Sequence, residues 1–115
     1  MRIRARVWLE DESGYLFGDG TAALLQAVRR TGSIRAAASS LGMSYRQAWG
    51  KIRALEDRLG FRILSTRTGG WRGGGSRLTA AGERLLDGFL ELRRRLDRQI
   101  EQDFGRSELR ADSNG

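Results

Sequence analysis

Between residues 31 and 60 the apolar positions recur twice with the period of a helix. Ile34, Ala37, Ala38 and Leu41 stand at i, i+3, i+4 and i+7, a spacing that gathers side chains on one helical face. Ser33 precedes them as an N-cap whose hydroxyl can accept from an unpaired first-turn amide. Gly42 follows with the left-handed freedom that closes a helix. Tyr45, Ala48, Trp49 and Ile52 repeat the spacing, Leu55 and Leu59 extend it, Ser44 caps its start and Gly60 ends it. Two short helices joined by a glycine-containing turn form a helix-turn-helix pattern, whose second helix enters a DNA major groove. An ordinary helical hairpin with a solvated basic face would show the same periodicity.

The flanks carry their own patterns. Residues 2–10 alternate, with Ile3, Ala5, Val7 and Leu9 on one side and Arg2, Arg4, Arg6, Trp8 and Glu10 on the other, which predicts a half-buried strand. Turn residues at 11–14 and a return through Tyr15, Leu16 and Phe17 make this a hairpin. Asp19 and Gly20 open a first helix with Thr21, Leu24, Leu25 and Val28 on one face, stopped by Gly32. It is expected to cover the apolar side of the helix-turn-helix.

After Gly60, residues 61–67 are strand-like, 68–75 are rich in glycine around Trp71 and Arg72, and Ser76, Arg77, Leu78 and Thr79 resume. Strand, glycine-rich tip and strand directly after a recognition helix describe a wing, able to lie along a phosphate backbone or enter a minor groove. A flexible connector is the alternative. A nucleotide-binding P-loop is excluded, since it needs Gly-Lys-Ser/Thr and no lysine lies near. Thr79 then caps a long helix running to about 103. Gly82, Leu85, Phe89, Leu92 and Leu96 alternate three and four apart along it, like a coiled-coil seam. Leu86, Leu90 and Ile100 widen the stripe. The helix outruns what a small core can use, so pairing with a second copy is expected, against the alternative of one long core helix. Residues 104–115 are polar and patternless and read as a disordered tail. The sum is a mainly α fold with small β: a winged helix-turn-helix over residues 1–103, with an N-terminal β-hairpin and a C-terminal dimerisation helix from about 79.

Chemistry narrows the function. The 115 residues contain no His and no Cys, which removes the commonest metal ligand, the usual general base, any His-containing triad and any disulfide. The remaining acid pair, Glu56 and Asp57, is adjacent on a helix and diverges by about 100°, so it makes no acid/base couple. An enzyme is therefore not expected, and neither is a cofactor. No apolar run is long enough for a membrane span, and the charged N-terminus lacks the core of a secretion signal, so a cytoplasmic location is expected. The net charge is +7, and residues 20–79 alone hold eleven basic side chains against two acidic ones, a local balance of +9. Such a segment favours a polyanionic partner and disfavours the rival reading of a winged module that only docks a separate effector-binding subunit. Arg46 and Gln47 are the candidates for reading base edges; Arg35, Lys51, Arg67, Arg72 and Arg77 are the candidates for phosphates.

Taken together, Gly32-Ser33-Ile34, Ala36-Ala37-Ala38, Gly42-Met43-Ser44-Tyr45, Ala48-Trp49, Thr68-Gly69-Gly70, Gly73-Gly74-Gly75 and the run from Leu78 through Leu85 resemble the N-terminal DNA-binding domain of ModE-type molybdate-responsive regulators, and more distantly LysR-type regulators. The likeness spans roughly residues 2–100. It implies a winged helix-turn-helix homodimer on a palindromic operator near molybdate-uptake or molybdoenzyme genes. It places the reading role on Ser44, Tyr45, Arg46, Gln47 and Lys51, and the wing role on the stretch from Thr68 to Arg77. Trp49 matches a core position. The stripe Leu85, Phe89, Leu92 and Leu96 is the expected dimer seam. Full-length regulators of that type continue into small β-barrel domains that bind molybdate. No such segment follows here, and bound molybdate is not expected. The wing also carries Trp71-Arg72 where Lys and Gly would be expected.

Overall fold

The computed structural model describes residues 1–67 and 75–110. Its elements run β1 (Trp8–Asp11), β2 (Gly14–Gly18), α1 (Asp19–Thr31), α2 (Ile34–Ser40), α3 (Tyr45–Leu59), β3 (Leu64–Arg67), β4 (Gly75–Leu78) and α4 (Ala80–Gly105). The strands form two separate antiparallel pairs, β1 with β2 and β3 with β4. This is a winged helix-turn-helix preceded by a hairpin.

The helix ends follow the expected capping chemistry. The Ser33 hydroxyl accepts from the Ala36 amide at 3.0 Å, and that of Thr79 accepts from the Gly82 amide at 3.0 Å. Each such cap stabilises its helix by about 1 kcal/mol. Gly32 and Gly60 close α1 and α3 at φ 72° and 80°, where a side chain would be strained. One core joins all the helices: Leu24, Leu25 and Val28 of α1, Ala37 and Ala38 of α2, Ala48, Ile52 and Leu55 of α3, and Leu86 and Phe89 of α4. Phe17 of β2 completes it, edge-on to Phe89 with ring centroids 5.0 Å apart.

Two expectations are corrected. Residues 2–7 are not strand, because β2 passes directly into α1 after Gly18 and the ladder ends at the pair Trp8 and Gly18. No strand is left to face them. Their alternation survives as burial, with Ala5 and Val7 half-buried, and Arg93 of α4 donates to the Ala5 carbonyl at 2.6 Å. At the other end, order does not stop at 103. Helix α4 continues through a buried Phe104 to Gly105, and residues 108–110 form a further helical turn.

Charged side chains tie the hairpins to the helices. Arg58, near the end of α3, donates to both carboxylate oxygens of Asp11 and to the carbonyls of Gly14 and Tyr15. Arg29 of α1 meets Glu83 and Asp87 of α4, each at 2.8 Å. Glu56 of α3 accepts from the amides of Ile63 and Leu64 at 2.8 and 3.2 Å and so fixes the start of β3. On its other side Ile63 presents its carbonyl to the Thr79 amide at 3.0 Å, and a Cβ on Gly82 would lie 2.3 Å from that same oxygen. Gly82 is therefore the residue that lets α4 start against β3.

The Arg58 guanidinium, followed by the Ser13 amide, lowers the pKa of the Asp11 carboxyl below its ordinary value. A carboxyl depressed on folding contributes stability above its unfolded pKa of about 3.9 and loses it as pH falls through the lower folded value. Urea melts from pH 6 down to pH 2 should therefore show a steeper acid loss for the unmodified chain than for Arg58→Gln, which has no such linkage at Asp11. Equal acid slopes would mean that the clamp makes no contribution in solution.

Candidate nucleic-acid interface

Helix α3 has three distinct faces. Ala48, Ile52 and Leu55 are buried. Opposite them, Arg46, Gly50 and Ala54 are exposed at spacings of four, forming a stripe along the outer surface. Gln47 and Lys51 flank this stripe on one side; Tyr45, Trp49 and Arg53 flank it on the other. A capping box fixes the start of the helix: the Ser44 hydroxyl accepts from the Gln47 amide at 3.0 Å, and the Gln47 side-chain oxygen accepts from the Ser44 amide at 2.9 Å. Gln47, expected to read a base edge, thus has its carbonyl committed to the cap and its amide NH2 left as a donor. Arg46 and Lys51 have no ion pair among the described residues.

The wing root carries further basic side chains. Arg77 sits opposite Ser65, and Arg67 opposite Gly75, so both arginines project from one side of the two-stranded ribbon. They are exposed and line a cleft of about 390 Å³ with Gly32, Thr66 and Ser76. The Ser76 amide donates to the Gly32 carbonyl at 2.9 Å, which ties the wing to the turn between α1 and α2. Thr68 and Arg72 lie outside the described residues.

Arg35 is exposed on α2 with its guanidinium carbon 4.4 Å from the centre of the Tyr45 ring. Tyr45 is 41% exposed, so it belongs to the surface and not to the apolar face that its spacing suggested. Trp49 is only half-buried against the core. The expected dimer seam divides. Phe89 is spent in the chain's own core, Leu85 and Leu96 are half-buried, and Leu92 is 46% exposed. Sequence reasoning missed the roles of Glu56 and Arg58, which face inward to hairpin and wing. Nothing in their local spacing marks those distant partners.

Fold and site together define a winged helix-turn-helix DNA-binding domain. Comparison with known proteins agrees. The bacterial regulatory helix-turn-helix protein family of lysR type matches residues 21–83. The chain is 40% identical over 85 residues to the molybdenum-pterin-binding protein MopB of Rhodobacter capsulatus, covering 74% of this chain and 32% of that protein. It is 45% identical over 73 residues to the molybdenum transport protein ModE of Herbaspirillum seropedicae, covering 64% of this chain and 27% of that one. It thus spans about a third or less of these curated relatives. Among solved structures, full-length CbnR complexed with its target DNA superposes with a TM-score of 0.57 at 27% identity, over 75% of this chain and 28% of CbnR. The complex of the CbnR DNA-binding domain with DNA gives 0.50 at 29% identity, over 83% of this chain and 94% of that domain. The chain belongs to the lysR family of bacterial regulatory helix-turn-helix proteins.

Gly50 stands out on the exposed stripe. Its backbone is ordinary helix, and an added Cβ would meet nothing within 4 Å, so the fold has no use for a glycine there. A helix-interior glycine costs about 1 kcal/mol relative to alanine. If α3 enters a groove, a glycine here lets it approach closely. Gly50→Ala should raise stability by about 0.5–1 kcal/mol in urea denaturation while weakening duplex binding in a titration. Stabilisation with undiminished binding would show that the groove leaves room at this position.

Proposed function

We propose that this chain is the DNA-reading part of a transcription regulator of molybdenum transport or metabolism genes, acting in the cytoplasm as a homodimer on a palindromic operator and carrying no catalytic activity. One observation carries the DNA reading: Arg46 and Lys51 stand outward on a capped α3 with no ion pair among the described residues, and Arg67 and Arg77 share one face of the wing root. The names of the relatives MopB and ModE support the molybdenum context. No helix among the described residues is long and apolar enough to cross a membrane.

In this assignment Arg46 reads a base edge, assisted by the Gln47 NH2 group, Tyr45 and the Ser44 end of the helix. Lys51, Arg35, Arg67 and Arg77 neutralise phosphates. The purified chain, titrated against genomic duplex fragments at two salt concentrations, should bind a few fragments tightly and lose affinity steeply with salt. Arg46→Ala should erase much of the preference among fragments, at about 1–3 kcal/mol. Arg77→Ala should weaken all fragments alike. Uniform loss with both substitutions would remove the assigned division between reading and anchoring.

The dimer rests on the stripe Leu85, Leu92 and Leu96, with Phe89 withdrawn from it. Exposed Gly88 lies between the first two, in open space where another helix can come close. Sedimentation should give a dimer for the unmodified chain and a monomer with unchanged helicity for Leu92→Asp. A dimer that persists in Leu92→Asp would place the contact elsewhere.

A further inference from the structure

We propose that Arg53 is a further DNA-backbone contact, and that the rings of Tyr45 and Trp49 are positioning groups that hold Arg35 and Arg53 ready to clasp phosphates alongside the recognition helix. This rests on the DNA-binding reading above.

Four side chains form one continuous stack across α2 and α3. The Arg35 guanidinium lies over Tyr45 at 4.4 Å, Tyr45 meets Trp49 edge to face at 6.3 Å and 88°, and the Arg53 guanidinium lies over Trp49 at 5.3 Å. Both cation–ring distances fall inside the roughly 6 Å over which a ring quadrupole attracts a guanidinium. Tyr45, Trp49 and Arg53 follow at spacings of four, so they form one row along α3 beside the exposed stripe that carries Arg46 and Gly50. Trp49 is anchored by packing on the core, which fixes the ring that Arg53 rests against.

Neither Arg35 nor Arg53 has a carboxylate partner among the described residues, as is also true of Arg46, Lys51, Arg67 and Arg77, so their donors are not spent within the chain. Glu56, one turn from Arg53 and two from Trp49, is turned away to the amides of Ile63 and Leu64 and to Arg62. Asp57, one turn beyond Arg53, is exposed and makes no ion pair with it among the described residues. A guanidinium stacked by its face keeps the fork of N–H donors at its rim, the geometry that two phosphate oxygens accept. Stacking also removes beforehand part of the rotamer entropy that a free arginine loses on binding.

The test uses the full chain and a random-sequence duplex of about 30 base pairs, titrated across a salt series. Arg53→Gln should reduce the slope of log affinity against log salt by about 0.9, the value for one phosphate contact, and Arg53→Lys should keep the slope. Arg53 is exposed, so neither change threatens the fold. Trp49→Leu should weaken binding several-fold in the unmodified background but not in the Arg53→Gln background, and Trp49→Phe should restore binding. A merely structural Trp49 would weaken both backgrounds equally, which would overturn the positioning role. An Arg53→Gln chain with unchanged slope, while Arg77→Ala still weakens binding, would overturn the Arg53 contact and leave the DNA reading standing. Absence of salt-dependent duplex binding by the unmodified chain would overturn both.

Discussion

The peptide linking Ile63 to Leu64 is held from two sides, and the relation between wing and recognition helix depends on that grip. From α3, the Glu56 carboxylate takes both amides. From α4, the Thr79 amide takes the Ile63 carbonyl, and Thr79 donates its hydroxyl to the Arg62 carbonyl at 2.7 Å while capping the helix. Gly82 permits the approach, because any side chain there would collide with the same carbonyl. Ile63 and Leu64 are fully buried, so these bonds sit at the edge of the core and not in open solvent. Burial makes such bonds costly to break, since each freed amide or carbonyl would lack water.

The elements that sequence made legible were those encoded by neighbours along the chain. Ser33, Ser44 and Thr79 announce helix starts because a cap acts within three residues. Gly32 and Gly60 announce stops because the left-handed conformation is a property of the residue itself. Of the candidate site, periodicity assigned Arg46 and Lys51 to the exposed side of α3, and both are exposed there. What escaped depends on long-range partners. The strand over residues 2–7 failed for want of a facing strand, although its alternation still describes which side is buried. Phe89 fits a coiled-coil seam by spacing, yet Phe17, seventy-two positions earlier, claims it for the core. Glu56 and Arg58 look like solvated charges on a helix end, and their partners lie in the wing and the first hairpin.

Basic side chains divide by environment as well as by number. Several are neutralised: Arg29 by two acids of α4, Arg58 by Asp11, Arg93 by Asp19 and Asp97. Exposed pairs of this kind contribute only about 0.2–1 kcal/mol each, so their effect is more on orientation than on stability. Arg35, Arg46, Lys51, Arg53, Arg67 and Arg77 have no carboxylate partner among the described residues. Residues 20–79, with a balance of +9 against +7 for the whole chain, concentrate the positive charge, which speeds encounter with a polyanion.

The Glu56 grip has a mechanical corollary. A wing root bonded to the recognition helix and to the α1–α2 turn cannot swing independently of α3. The two contact points behave as the jaws of a caliper with a set opening. A duplex engaged by both would meet two points whose separation is set at the wing root. Flexible pyrimidine–purine steps between the two points then cost less to engage than stiff A-tracts.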